Sequence, residues 1–552
     1  MDVGLWTAIL FVLNVVLLIF VLFRRRRRPG EPPIVPHTYP IIGAALEFGR
    51  NPLGYLRNLR QEYGDVFTVE LAGWNVHFFT NPVDVKYLEK NRILKHDKVL
   101  YDFATRVVGS PHAIDVSGKH NPRGPEVMAG MTKAMRGSTS LSKLTESCLT
   151  ITTYAFEQAL RKDERFIQEQ PIGLYELAGK IIFDTTLYMF FGYHKSLKQR
   201  LEEKNRFYDD FMFYFEKSAL LVDRVSINLL PKVKAARNRL LEEMNNIEFK
   251  NRVGVSELIK SMNEIDKNNA DERARHLLII LWSSQANSRP ALFWTLFHLL
   301  KQPQAVAKIL QEYNEVMEMN MSRQKKKTNE NNADRSLLSK WLGMDDIMDL
   351  NRTSLDKMVI LDACIRESLR LVGSSMIVRE VDRNAKVTVA SGNKYLVRKG
   401  DFTAFFSPLT HMDEIIHENP EEYMYERHLV EQISHRDESS EDISDVSSIC
   451  STDSEGLSKK NRLKAKIRYG VPGYRVSASR AILTFGYGTN RCPGRHIALI
   501  EIKLCVLIFL RHFRLELINP DEKPPPFDMR HLGFGVMPPL SDVLVKISPK
   551  VN

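Results

Sequence analysis

The sequence predicts a mainly α-helical protein with smaller β-sheets, preceded by one N-terminal membrane-spanning helix. Three observations predict it: residues 5–23 form a long, nearly all-apolar run, residues 125–316 and 361–372 repeat apolar side chains at helical spacing, and β-formers gather in two patches, the first with period-two alternation. The 552 residues are 43% apolar, 26% charged and 9% aromatic, which excludes a disordered or collagen-like chain. The formal charge is +11, but Arg24 to Arg28 form one basic run, so a nucleic-acid partner is not implied. Cys148, Cys364, Cys450, Cys492 and Cys505 are scattered without a CxxC pair, which points to a reducing compartment.

Taken in order, residues 5–23 contain only Thr7 and Asn14 as polar members and are long enough to cross the hydrocarbon core as a helix. Asp2 precedes the run and the arginines follow it, the polarity of a retained anchor whose basic flank stays cytosolic. Residues 1–23 are therefore read as an anchor. Pro29, Pro32, Pro33, Pro36 and Pro40 make residues 24–40 a basic, extended tether, and residues 41–552 form the folded body. Residues 66–80 alternate β-formers around Ala72, Gly73, Trp74 and Asn75 and predict a hairpin, while residues 377–406 form a second strand-rich patch. A lysine- and asparagine-rich stretch at 324–334 and an acidic, serine-rich insert at 437–455 cannot bury a core. Both are expected as surface loops, the second disordered.

The run Phe485-Gly486-Tyr487-Gly488-Thr489-Asn490-Arg491-Cys492-Pro493-Gly494-Arg495 precedes a helical pattern over 497–510. It reads as a glycine-permitted turn delivering one cysteine to the start of a helix with proline in its first turn. Backbone N–H groups and the positive helix end there favour a thiolate, and glycines beside it let a flat macrocycle approach, as axial ligation of haem iron requires. A buried structural cysteine, or a phosphate turn on Gly486 and Gly488, are the competing readings, the second lacking a βαβ context. In this loop the chain resembles the cytochrome P450 superfamily, whose signature places phenylalanine, glycine, cysteine and glycine as Phe485, Gly488, Cys492 and Gly494 stand here. The resemblance implies haem, its iron held by Cys492, in a loop that includes Arg491. Where the family has a basic residue pairing a haem propionate, this chain has Asn490.

Glu367 and Arg370 lie at i, i+3 on a helical run and alone would read as solvated decoration. The family has this Glu-x-x-Arg pair behind the haem, joined by an arginine from a later segment, which Pro420, Tyr423, Glu426 and Arg427 match. The resemblance implies a structural role for Glu367, Arg370 and Arg427, holding the cysteine loop on the core. Arg379 resembles the strand arginine that binds a propionate; otherwise it is a surface arginine. No tryptophan lies between Trp74 and Trp282 to supply the family's Trp-x-x-x-Arg contact, which leaves Lys133 or Arg136 for that edge.

Residues 271–301 are apolar nearly all round except for a polar patch at 283–288. Pro290 removes one helical hydrogen bond and clashes with the carbonyl four residues back, so the helix is expected to open at Ala286. Most of the family carries an acid followed by threonine at this place, where this chain has Ala286-Asn287. That patch and the Gly533 to Pro539 segment resemble the branch containing cholesterol 7α-hydroxylase, sterol 12α-hydroxylase and prostacyclin synthase. The resemblance implies a haem-thiolate monooxygenase that hydroxylates a sterol, steroid or other lipid. It would use O2 and electrons from NADPH through a membrane-bound reductase, anchored in the endoplasmic reticulum with a cytosolic catalytic domain. Asn287, assisted by Gln285, is expected to orient a water or bond the substrate, or else to satisfy the carbonyl freed by Pro290. The alternative function is a reductase-independent lipid endoperoxide isomerase.

Overall fold

The computed structural model describes residues 26–37, 39, 42–110, 124–161, 163–194, 197–222, 224–324, 347, 349–429, 468–470, 476–488 and 491–550, with Phe11, Asn14 and Val15. The expected anchor, but for those three residues, lies outside them, as do Asn490, the 437–455 insert and nearly all of the 324–334 stretch. Among the described residues no helix is long and apolar enough to cross a membrane. The chain divides into two compact units, one of Met1–Val99, Ser375–Glu418 and Tyr469–Arg491, the other of Leu100–Ser374, Asn419–Arg468 and Cys492–Asn552.

The first unit is built on the predicted hairpin. Strands β1 (Val66–Leu71) and β2 (Trp74–Phe79) pair from Val66↔Phe79 to Leu71↔Trp74, so the turn is only Ala72-Gly73 and the expected turn residues Trp74 and Asn75 are strand. Both turn residues are left-handed, at φ 49° and 81°, the geometry whose twist suits a two-residue hairpin. With β3 (Leu94–Lys95), β4 (Met376–Val381) and β5 (Phe402–Phe406) they form a sheet in the order β1-β2-β5-β4-β3. Helix α1 (Pro52–Tyr63) starts with the Asn51 side chain accepting from the Gly54 N–H, and α2 (Val85–Lys90) contributes Val85 and Leu88 to the core beside Phe79, Val381, Phe405 and Tyr487. Tyr487 thereby pins the first half of the cysteine loop. The tether is not a free spacer at its far end: Thr68 N–H donates to Pro33 O at 2.7 Å, Val35 N–H to Thr68 O at 2.9 Å, and buried Glu31 pairs with Arg398 at 2.7 Å.

The second unit is helical. Helices α3 (Asp97–Val107, from Leu100 on), α4 (Gly124–Arg136), α5 (Ser138–Arg161), α6 (Leu174–Phe191), α7 (Leu197–Val222), α8 (Ala270–Leu300), α9 (Val359–Val372) and α10 (Arg495–His512) carry the site. A helix that is apolar all round must be interior, and α6, α8 and α10 bury most of their side chains. In the packing, α6 lies against α5 and α8, while α10 lies against α5 and α8, and α9 against α8. Helix α8 runs unbroken through Pro290, so the opening expected at Ala286 does not interrupt it. Neighbours on several sides hold the helix, and the loss of one internal hydrogen bond is too small to break it. Phe156 of α5 is fully buried, its ring 4.6 Å from that of Phe509 on α10. Phe156→Ala should cost about 3–5 kcal/mol and lower the melting temperature of the holoprotein; an unchanged melting temperature would show that this contact does not hold α5 to α10.

Candidate active site

In the first unit, Gly486 and Gly488 of the cysteine loop have φ of 75° and 68°. Gly488 is doubly constrained, because a Cβ there would run into the Glu89 side chain of α2. Glu89 in turn accepts from Arg379 of β4 at 2.8 Å, and Arg379 also donates to Val378 O at 2.9 Å and lies 3.2 Å from His96 Nδ1. Burial and the Arg379 charge push His96 down to about 4, so it is neutral. Arg379 is 5% exposed, which rules out the surface reading. It could hold a carboxylate ligand only by sharing it with Glu89, a residue that no sequence motif marks. Phe485 is half-buried, and Arg491 N–H donates to Gly488 O at 3.3 Å.

In the second unit, Cys492 precedes α10, with Gly494 as the residue capping it and Pro493 just before rather than in the first turn. The Gly494 and Arg495 N–H groups point to the sulfur, and the charges of Arg495 and Arg136 favour its anion. Burial outweighs them and pushes the thiol up. Arg136, on α4, thus acts on the sulfur through its charge. Cys148, Cys364 and Cys505 are fully buried, Cys364 pushed up to about 12 and the other two also pushed well up by burial and neighbouring acid. Cys492 alone among the described cysteines is only half-buried. One soft sulfur bonded by amides and faced by cations is a donor set that fits haem iron, since a metal replaces the thiol proton.

Glu367 of α9 is the centre of a buried charge cluster. Arg370 grips it with both nitrogens at 2.8 and 2.9 Å, Arg427 donates at 3.0 Å, the Met424 N–H at 3.0 Å, and His428 at 2.7 Å. Arg370 is completed by Pro420 O at 2.7 Å, and Tyr423 OH donates to Cys364 O at 3.0 Å. The structure brings together the predicted Glu367, Arg370 and Arg427, and adds His428, which no pattern in the sequence marked.

The polar patch of α8 is split between faces. Asn287 Oδ1 accepts from Val536 N–H at 2.7 Å, and a Cβ on Gly535, at φ 134°, would collide with Asn287. Gln285, 1% exposed, instead donates to Ile182 O of α6 at 3.4 Å. The two predicted residues are therefore not brought together. A ring cluster missed from sequence adjoins the patch: Phe103 lies 5.1 Å from Trp282, Phe215 5.7 Å from Trp282, and Phe534 6.3 Å from Phe103.

A family model described as Cytochrome P450 matches residues 32–545. The chain belongs to the cytochrome P450 family. Similar proteins include cytochrome P450 7A1 of Oryctolagus cuniculus, 30% identical over 95% of this chain and 94% of its own length. Cholesterol 7-alpha-monooxygenase of Cricetulus griseus is 30% identical over 96% of each chain. The 7-alpha-hydroxycholest-4-en-3-one 12-alpha-hydroxylase of Homo sapiens is 28% identical over 94% of this chain and 93% of its own. This P450 is accordingly a monooxygenase with haem as cofactor, its iron held by a cysteine thiolate. The isomerase reading gains no support from these relatives.

Burial would raise the Glu367 carboxyl, but the bonds from Arg370 and His428 overcome it and hold the group well below the usual carboxylate range. A depressed folded value means its contribution to stability is complete at neutral pH and lost as pH falls below the ordinary value of 4.5 toward the folded one. Glu367→Gln would leave the Arg370 charge buried and should cost about 3–5 kcal/mol. The predicted result is a lower midpoint of urea unfolding at neutral pH and a weaker dependence on acid below it; an unchanged acid limb would contradict the assignment.

Proposed function

We propose that this P450 is a membrane-anchored hydroxylase of a sterol, or of a steroid or lipid of similar shape, with Cys492 as the axial ligand of its haem. The observation that carries the ligand is the half-buried Cys492 sulfur with two amide donors, beside three described cysteines that are fully buried. Kinship with sterol 7α- and 12α-hydroxylases along nearly the whole chain carries the substrate class. Haem bound there supplies dioxygen activation, the thiolate's electron donation favouring O–O cleavage. The chain's own residues do the rest. Phe485, Gly488 and Gly494 shape the loop, with Asn490 and Arg491 flanking the ligand. Arg379 is the propionate partner, held in place by Glu89. The cluster of Glu367, Arg370 and Arg427 fixes the segment that precedes the insert and keeps the second unit's core in register.

The rings of Phe103, Phe215, Trp282 and Phe534 offer an apolar, flat-sided surface beside α8, suited to a fused-ring skeleton. Asn287 positions the Gly535–Val536 turn against that surface, and Gln285 works from the opposite face. Residues 1–23 anchor the chain in the endoplasmic reticulum membrane, where such a substrate partitions, and the basic run at Arg24 to Arg28 keeps the catalytic body cytosolic. NADPH and a membrane-bound reductase supply the electrons. Cys492→Ala should abolish the thiolate-type carbon monoxide band of the reduced protein, while single replacement of Cys148, Cys364, Cys450 or Cys505 should keep it. With reductase and NADPH, the wild-type protein should convert a sterol to a hydroxylated product. Turnover confined to an endoperoxide without reductase would overturn the substrate class.

A further inference from the structure

A helix face buried against other helices takes apolar side chains, and an arginine placed there needs a partner for its charge. The helix Pro231–Asn245, packed against α7 and α8, buries Val233, Ala236, Leu240, Leu241 and Met244 together with Arg237, which therefore stands in the middle of its apolar face. Arg237 is 9% exposed, and its Nε is buried without a hydrogen-bond partner. Among the described residues no carboxylate pairs with its guanidinium. A charge set where packing alone asks for an apolar residue, and left without an anion, points to a ligand that brings one.

Its neighbour is a second cation. Arg237 Nη1 and Arg275 Nη1 of α8 each lie 2.9 Å from the point that a Cβ on Gly109 would occupy, so two guanidinium groups converge on one glycine, itself at φ 78°. Arg275 already has partners: it donates to Asp271 at 2.9 and 3.0 Å and to Val108 O at 2.6 Å. Glu272, the other acid in the first turn of α8, accepts from Ser110 Oγ at 2.7 and 2.8 Å. Tyr214 of α7 donates to Val107 O, and burial pushes its phenol up, so it brings no charge. Burial first, and the Arg275 charge as well, push the Arg237 guanidinium below its usual range against the pull of Tyr214. An oxyanion is the group this cluster lacks, since a guanidinium fork bonds two oxygens at once.

The elements that frame this cluster also carry the ring surface. Phe103 lies one turn before Val107 on α3, Phe215 follows Tyr214 on α7, and Trp282 is seven residues beyond Arg275 on the same face of α8, about 10 Å along its axis. A fused-ring skeleton lying on those rings along α8 directs one end toward the arginines. Resting on the reading of the chain as a haem-thiolate sterol hydroxylase, we propose that Arg237, with Arg275 beside it, binds an oxyanion carried at one end of the substrate, which selects sterol acids or sterol sulfates over neutral sterols. The carboxylate or sulfate answers a charge that is already buried in the free protein, whereas a neutral sterol leaves that charge without a counterion.

The test titrates the full-length holoprotein with cholesterol, with cholesterol sulfate and with a cholesterol analogue whose side chain ends in a carboxylate, reading the shift of the haem absorption band. At least one of the two anions should bind about 10–100-fold tighter than cholesterol. Preference for the sulfate would set the hydroxyl-bearing ring at the arginines, and preference for the carboxylate would set the side chain there; either supports the proposal. Arg237→Met should bring the ratio of anion to cholesterol affinity close to one, and Arg237→Lys should keep part of it. Methionine suits the apolar face, so the urea midpoint of Arg237→Met should not fall. Equal affinity for all three sterols in wild type, or an anion preference that survives Arg237→Met, would overturn the proposal. Should Arg237→Met fail to take up haem, the wild-type comparison and Arg237→Lys decide alone. A protein with the thiolate carbon monoxide band that binds none of the three would refute the sterol reading and this proposal with it, whereas equal binding of all three leaves the sterol reading standing.

Discussion

The sulfur of Cys492 stands where α10 enters the interior, and much of the second unit answers to that placement. A helix as apolar as α10 gains stability only when buried, yet burying its first turn strands backbone N–H groups that need acceptors. The Cys492 sulfur takes the Gly494 and Arg495 amides, so one atom settles the helix end and acquires donors that favour its anion. Desolvation still wins while the sulfur carries a proton. The balance reverses once a metal replaces that proton, which makes the loop a better site for a cationic centre than for a free thiol.

The buried charge cluster on α9 is a matter of specificity more than of net stability. A carboxylate with no exposure is costly, and it is tolerated because Arg370, Arg427, His428 and a backbone amide satisfy it from separate segments. Each partner is useful only in one arrangement. The cluster therefore selects a single path for the chain from residue 419 to 428, the stretch that leads into the serine-rich insert.

Much of this was legible in the sequence because it rests on periodicity. The spans of α8, α9 and α10, and the hairpin of β1 and β2, follow from apolar spacing and turn chemistry, and their edges moved by only a residue or two. The pair Glu367 and Arg370 was visible as a spacing and Arg427 as a motif, but His428 was not, since a histidine after an arginine carries no signal of its own. Glu89 was equally silent. The direction of Asn287 was out of reach for another reason: its partner, Val536, lies 249 residues away, and no local pattern reports which face of a buried helix meets it. Helix α8 continues through Pro290, the residue whose missing N–H was expected to open it at Ala286, because its neighbours clamp it.

Two departures from the commoner family pattern meet on the same helix. The acid–threonine pair is missing from α8, and the Asn287 Oδ1 accepts from a C-terminal turn. All of this depends on iron being bound to sulfur. X-ray absorption at the iron edge of the resting holoprotein measures that bond directly: one sulfur in the iron's coordination shell, lost in Cys492→Ser, is the predicted result. A shell of nitrogen and oxygen alone, or a sulfur that survives the substitution, would contradict it.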